Sequence, residues 1–234
     1  RNVVRSSMNN ERITNLKGQK VMNKEVIKFR NGMFFSSSRN CGETYVEVIV
    51  RKVLGLFRSD TKDNDAITTD GEFVEIKSSK VLTEKKESPS FRETIMLEYE
   101  NNGPGLINRL VKFVDYLVSN YKSNIQNIKR HKFDILIYVM LFEDCIKIFK
   151  CYSDDIPNIG RADGKGSRWC GKHGGEDKKG KNGQFGIQKN NIEWHLDNKL
   201  IQTLTWEEVY EISDDIIRSK GKKNYWVYKG EEKD

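Results

Sequence analysis

The residues best suited to chemistry fall between positions 65 and 77, in the run Asp65-Ala66-Ile67-Thr68-Thr69-Asp70-Gly71-Glu72-Phe73-Val74-Glu75-Ile76-Lys77. Two carboxylates and an ammonium, rigidly held, could supply what metal-assisted phosphodiester hydrolysis requires, an activated water included. A metal offsets charge on the phosphorane, and a cation steadies the attacking oxygen. Hard oxygen ligands, one or two carboxylates completed by water and substrate phosphate, suit Mg²⁺. On a strand Glu75 and Lys77 are two apart and share a face, while Val74 and Ile76 turn toward the core. Asp65 joins them in only one hairpin register. A two-residue turn at Asp70-Gly71 pairs Asp65 with Ile76, on the wrong face. A three-residue loop, Thr69-Asp70-Gly71 with Gly71 left-handed, pairs it with Glu75. That loop, or an equivalent kink where the first strand begins, is expected.

The elements around this hairpin must hold it still. A short helix is expected over residues 19–30, ending near Asn31-Gly32, with Ser36-Ser37-Ser38 capping a second helix from about Asn40 to Phe57. Its apolar face is read as Tyr45, Val48, Ile49 and Leu56, with Lys52 alongside. Glu43 and Glu47 share one side of it, and Glu47, deeper in the helix, is the preferred extra carboxylate of the site. Strands are expected at Asp65–Thr68 and Phe73–Val81, and a helix over Leu106–Tyr121. Phe133–Phe142 reads as a central strand covered on both faces, with Cys145–Cys151 as its neighbour. Thr205-Trp206-Glu207-Glu208 is a capping box opening a helix to about Ser219, and Asn224–Tyr228 reads as a last strand. This order predicts an α/β fold with a mixed central sheet flanked by helices.

At Asp65, nine intervening residues and Glu75-Ile76-Lys77, with an acidic helix upstream, the sequence resembles the PD-(D/E)xK nuclease superfamily, which includes most type II restriction endonucleases. The likeness covers about residues 40–80 directly and the later helix and strand more loosely. One departure is Asn64, where many members carry proline. The resemblance implies a restriction-endonuclease-like core in which Asp65 and Glu75 ligate Mg²⁺ and the Ile76 carbonyl completes the protein's ligands. It also implies that Lys77 orients or deprotonates the attacking water, giving a 3′-hydroxyl and a 5′-phosphate.

Net charge of +7 and a pI near 9.1 fit a polyanionic partner. The excess is concentrated between residues 158 and 190, where eight Lys and Arg face three Asp and Glu and nine of the 18 glycines gather. So basic and glycine-rich a stretch packs no core, and it reads as a long loop closing on a phosphate backbone. Arg161, Lys165, Arg168 and Lys172 within it, and Lys80 on the second hairpin strand, are the candidate DNA contacts. Trp169, Phe185 and Trp194 interleave as stacking residues or loop anchors.

Other signals carry less. Cys170, His173 and His195 are three possible zinc ligands where a structural site needs four. The glycine spread also argues against a ββα-metal nuclease around the histidines, and His131 reads as structural or exposed. Four cysteines without a spacing pattern read as reduced thiols of a cytoplasmic protein, and the longest apolar run, Ile135–Phe142, is too short to cross a bilayer. Residues 1–7 precede Met8 and read as a leader outside the fold. Residues 8–234 then form one nuclease domain, with a core over about 40–152 and a DNA-contact loop over about 158–190. The expected activity is Mg²⁺-dependent, site-specific cleavage of double-stranded DNA by a homodimer, since cutting both strands of a palindrome needs two centres related by a twofold axis. The competing readings are a junction resolvase or repair endonuclease using the same residues, and a non-catalytic DNA-binding protein.

Overall fold

The computed structural model describes residues 22–36, 41–61, 63–82, 110–118, 122–156 and 183–219. Its centre is a mixed six-stranded sheet in the order β1 (Phe57–Arg58), β2 (Ala66–Ile67), β3 (Phe73–Lys80), β5 (Ile135–Leu141), β6 (Cys145–Tyr152) and β8 (Leu200–Thr205). Only the β3–β5 pairing is parallel; the rest are antiparallel. A separate ribbon pairs β4 (Lys122–Ile128) with β7 (Gly183–Gln188). The helices are α1 (Lys24–Phe35), α2 (Glu47–Leu54), α3 (Phe113–Val118), α4 (Ile192–Asn198) and α5 (Trp206–Ser219).

Every residue of β5 is buried, as its unbroken apolar run predicts for a strand covered on both sides. Val74, Ile76, Ile137, Val139 and Leu141 face one core, packed with Val46, Ile49 and Val50 beside α2 and with Trp206 and Val209 of α5. Leu136, Tyr138, Met140 and Phe149 face the other, against Ile125, Phe185 and Ile187 of the ribbon, Tyr116 of α3 and Ile192 of α4. The capping box forms as expected: the Glu208 carboxylate accepts from the Thr205 amide at 2.6 Å, and Thr205 Oγ1 accepts from the Glu208 amide at 3.3 Å.

Several expected boundaries move. α1 runs through Gly32 to Phe35, because Met33 and Phe34 are buried and Phe34 packs on Trp206 with ring centroids 5.8 Å apart. Burial of two large side chains outweighs the roughly 1 kcal/mol that glycine costs inside a helix. α2 is preceded by a π-helical stretch, Cys41–Val46, whose wider turn shifts the phase of the apolar stripe. Val46, Ile49 and Val50 are therefore buried, whereas Lys52 is exposed. Gly55, at φ 65°, ends the helix in the left-handed cap. The third helix spans Phe113–Val118 within the wider range expected. The loop anticipated through residue 190 gives way at Gly183 to strand β7, because pairing with β4 satisfies its backbone. Residues 1–7, Ser37, Ser38, 158–182 and 224–228 lie outside the described residues. Among those described, no helix is long and apolar enough to cross a membrane.

Candidate active site

The hairpin takes the three-residue loop. Ala66 pairs with Val74 and Ile67 with Phe73; Thr68 N donates to Glu72 O at 3.0 Å, and Gly71 closes the loop at φ 86°. Asp65 bends out of the strand: its amide donates to the Val74 carbonyl at 3.1 Å, one residue off the ladder register. Here β2 stops while β3 continues to Lys80, so among the described residues no strand pairs with this side of β3 beyond Val74. Alternation along β3 points the N–H and C=O of Ile76 into that gap. Asp65 fills it with a side chain, Oδ2 accepting from Ile76 N at 2.7 Å.

Lys77 Nζ occupies the point where three acceptors converge. It pairs with the Glu75 carboxylate, lies 3.5 Å from Asp65 Oδ2, and donates to the Ile76 carbonyl at 3.3 Å. Among the described residues no group of three or more His, Cys, Asp and Glu side chains is placed to hold a metal. Two carboxylates and one carbonyl aimed at one cation nevertheless make the oxygen-rich, partly hydrated set that suits Mg²⁺. The cation at that point is the Lys77 ammonium.

α2 forms one wall. Glu47 is coupled electrostatically to Asp65 and Lys77. Glu43, exposed at the π-helical end, acts on Glu47 in turn. One turn on, Arg51 is buried; its Nη1 donates to the Asp65 carbonyl at 3.1 Å and lies 3.6 Å from Glu47 Oε2. The sequence reading passed over Arg51, although its i,i+4 spacing from Glu47 marks a paired position. This guanidinium ties the helix to the kink at Asp65. Across the sheet β4 forms the other wall, where Asn124 N donates to Ser79 Oγ at 3.3 Å.

Glu47, Asp65 and Glu75 gather here with Arg51 and Lys77, and burial is the largest influence on how the two glutamates titrate. Burial, then the Asp65 charge, pushes Glu47 up to about 7, against the pull of Arg51 and Lys77. Burial raises Glu75 as well, with Lys77 opposing. For Lys77 burial alone would lower the pKa, but Asp65 and Glu75 together raise it, so it stays protonated at neutral pH.

The remaining candidates divide. Lys80 does not face this cluster: its ammonium takes the Phe34 carbonyl at 2.8 Å and the Ser36 carbonyl, closing the C-terminus of α1 where the helix dipole favours a cation. That arrangement replaces the phosphate contact expected for it. Arg161, Lys165, Arg168 and Lys172 lie outside the described residues, as do Cys170 and His173. His195 is fully buried, with Nδ1 2.8 Å from the Tyr138 hydroxyl, and belongs to the core. Phe185 is likewise a core residue of β7 and not a stacking platform. Compared with known proteins, the chain matches no family model, and no curated protein matches it.

Proposed function

We propose that the chain is a Mg²⁺-dependent endonuclease of the type II restriction kind, built on a restriction-endonuclease-like core and hydrolysing phosphodiesters of double-stranded DNA. The observation that carries this is the convergence of Asp65, Glu75 and the Ile76 carbonyl on one cation. In this reading those three groups hold Mg²⁺, which when bound supplies positive charge to the phosphorane. Arg51 and the Ile76 amide orient Asp65 from two sides, so the carboxylate keeps its place without a paired strand. Lys77 keeps its proton while the two carboxylates raise its pKa, which favours orienting the water and stabilising the phosphate over abstracting a proton. Glu47, half ionised near neutrality, is the better-placed acceptor for a proton from that water. Cleaving both strands of a palindrome calls for two such centres, so a homodimer belongs to the same reading.

Long phage DNA incubated with the protein and Mg²⁺, beside an EDTA control and Lys77→Ala, tests it. Discrete fragments that vanish in both controls are expected. Intact DNA with a persisting gel shift would leave a basic DNA-binding protein.

A further inference from the structure

Opposite α2, ribbon strand β4 ends in a short turn that reads Lys129-Arg130-His131-Lys132. β4 crosses β3 near Ser79 and runs back toward Glu75, and Lys129 is close enough to pull down both the Glu75 and Asp63 carboxylates. The turn is aimed by a defect in the strand. Between Ile125 and Ile128 the register slips, and Asn127 adopts φ 61°, a left-handed conformation that costs a non-glycine residue about 1 kcal/mol. Such bulges redirect a chain, and here the redirected residues are cations.

Their engagements differ. Arg130 is anchored by Nε to the Ser153 carbonyl at 3.3 Å, and Lys132 is paired with Asp63 at 2.5 Å. Lys129 and His131 are exposed. Between the turn and the start of β3 lies a surface cavity of about 370 Å³, lined among others by Asn64, Phe73, His131, Lys132 and Asp134. Phe73, two residues before Glu75, is 38% exposed there, an aromatic ring on the rim of a cationic turn. A polyanion lying over Asp65 and Glu75 needs compensating charge beside the centre. On the α2 side Arg51 is buried and engaged with Asp65 and Glu47; on the ribbon side, next to Glu75, Lys129 faces solvent.

We infer that the Lys129–Lys132 turn and the cavity beside it bind the DNA backbone next to the scissile phosphate, with Lys129 on a phosphate oxygen and Phe73 against the adjoining sugar. This rests on the nuclease reading and adds where the strand runs: across the ribbon side of the site. Contacts of this kind position the duplex and read no sequence. Each phosphate neutralised releases counterions, so removing one contact lowers the salt dependence of binding by a calculable amount.

Binding of a labelled duplex in EDTA is followed by fluorescence anisotropy across a NaCl series for the unaltered chain, Lys129→Ala, Lys129→Arg and the surface control Lys28→Ala. The slope of log K against log salt should become shallower by roughly 0.9 in Lys129→Ala. It should return in Lys129→Arg and stay unchanged in Lys28→Ala. Binding by the unaltered chain with the same slope in Lys129→Ala would overturn this inference and leave the nuclease reading standing. Failure of the unaltered chain to bind DNA would sink both.

Discussion

Two polar clusters lie within the sheet's layers, and they are built on opposite principles. Around His195 the surroundings are aromatic: the imidazole is fully buried, hydrogen-bonded to Tyr138 at 2.8 Å, and stacked on Phe185 with planes 7° apart. Around Asp65 the groups are charged and unequal in sign, and their side chains keep some exposure, 24% for Asp65 and 22% for Lys77. The first cluster has what a buried polar group needs and asks for nothing more. The second holds three carboxylates, two of them shifted upward, at a strand edge that no described strand covers where β2 ends. Burial of polar groups therefore separates neither role. What separates them is charge: ionisable groups raised mainly by burial and held beside one another, the arrangement from which the proposed metal site is argued.

The largest effect that tests this contrast comes from Asp65→Asn. The amide oxygen can still accept from Ile76 N, so the kink survives while the charge is lost. Cleavage should fall on the order of a hundred- to a thousandfold in a single-turnover assay with saturating Mg²⁺. Stability should change little, since the lost pairing with Lys77 is offset by relief of the like charge on Glu47 and Glu75. A variant that unfolds would instead make the cluster a structural one like that of His195.

Much of this geometry was legible because local chemistry and tertiary packing agree. Gly71 demanded the left-handed three-residue loop, and a kink where the first strand begins brings the Asp65 carboxylate to the Ile76 amide. The apolar run at Ile135–Leu141 and the Thr205–Glu208 box speak just as locally. What escaped depends on partners far along the chain. β4, Lys-Ser-Asn-Ile-Gln-Asn-Ile, has little strand pattern, and β7 is cut from a glycine-rich run; each is a strand because the other is there. The π-helical stretch shifted the buried face of α2 without a sign in composition. Arg51 was missed for a related reason. A cation among Ile49, Val50 and Val53 reads as a blemish on an apolar stripe until Asp65 is folded against it.

A smaller effect sharpens the contrast through pH. Glu47 stands at about 7 in the folded chain against 4.5 ordinarily. A carboxyl raised this way stabilises the fold fully below its unfolded pKa, and that contribution is lost as pH rises through the folded value. Metal-free protein should therefore weaken between pH about 4.5 and 7, by roughly 3 kcal/mol from this group at about 1.4 kcal/mol per unit. Glu47→Gln removes the titration, so its urea-unfolding midpoint should match the unaltered chain near pH 4.5 and exceed it at pH 8. Curves that stay parallel would mean that Glu47 carries no such burden and that the upward shift lies with Glu75 alone.

The smallest effect belongs to the aromatic cluster. Tyr138→Phe keeps the ring that stacks on Phe149 and deletes only the hydroxyl at His195 Nδ1. A buried group that loses one partner costs about 1–2 kcal/mol, which urea unfolding at pH 7 resolves. Tyr138 sits beside Lys77 in the parallel ladder of β3 and β5, so the change lies one strand from the proposed chemistry. Cleavage by the folded fraction should nonetheless equal that of the unaltered chain, because the hydroxyl faces the aromatic core and is not among the groups that meet at Lys77 Nζ. Cleavage lost with stability intact would join the two clusters into one device, and the division between an aromatic and a charged polar centre would then fail.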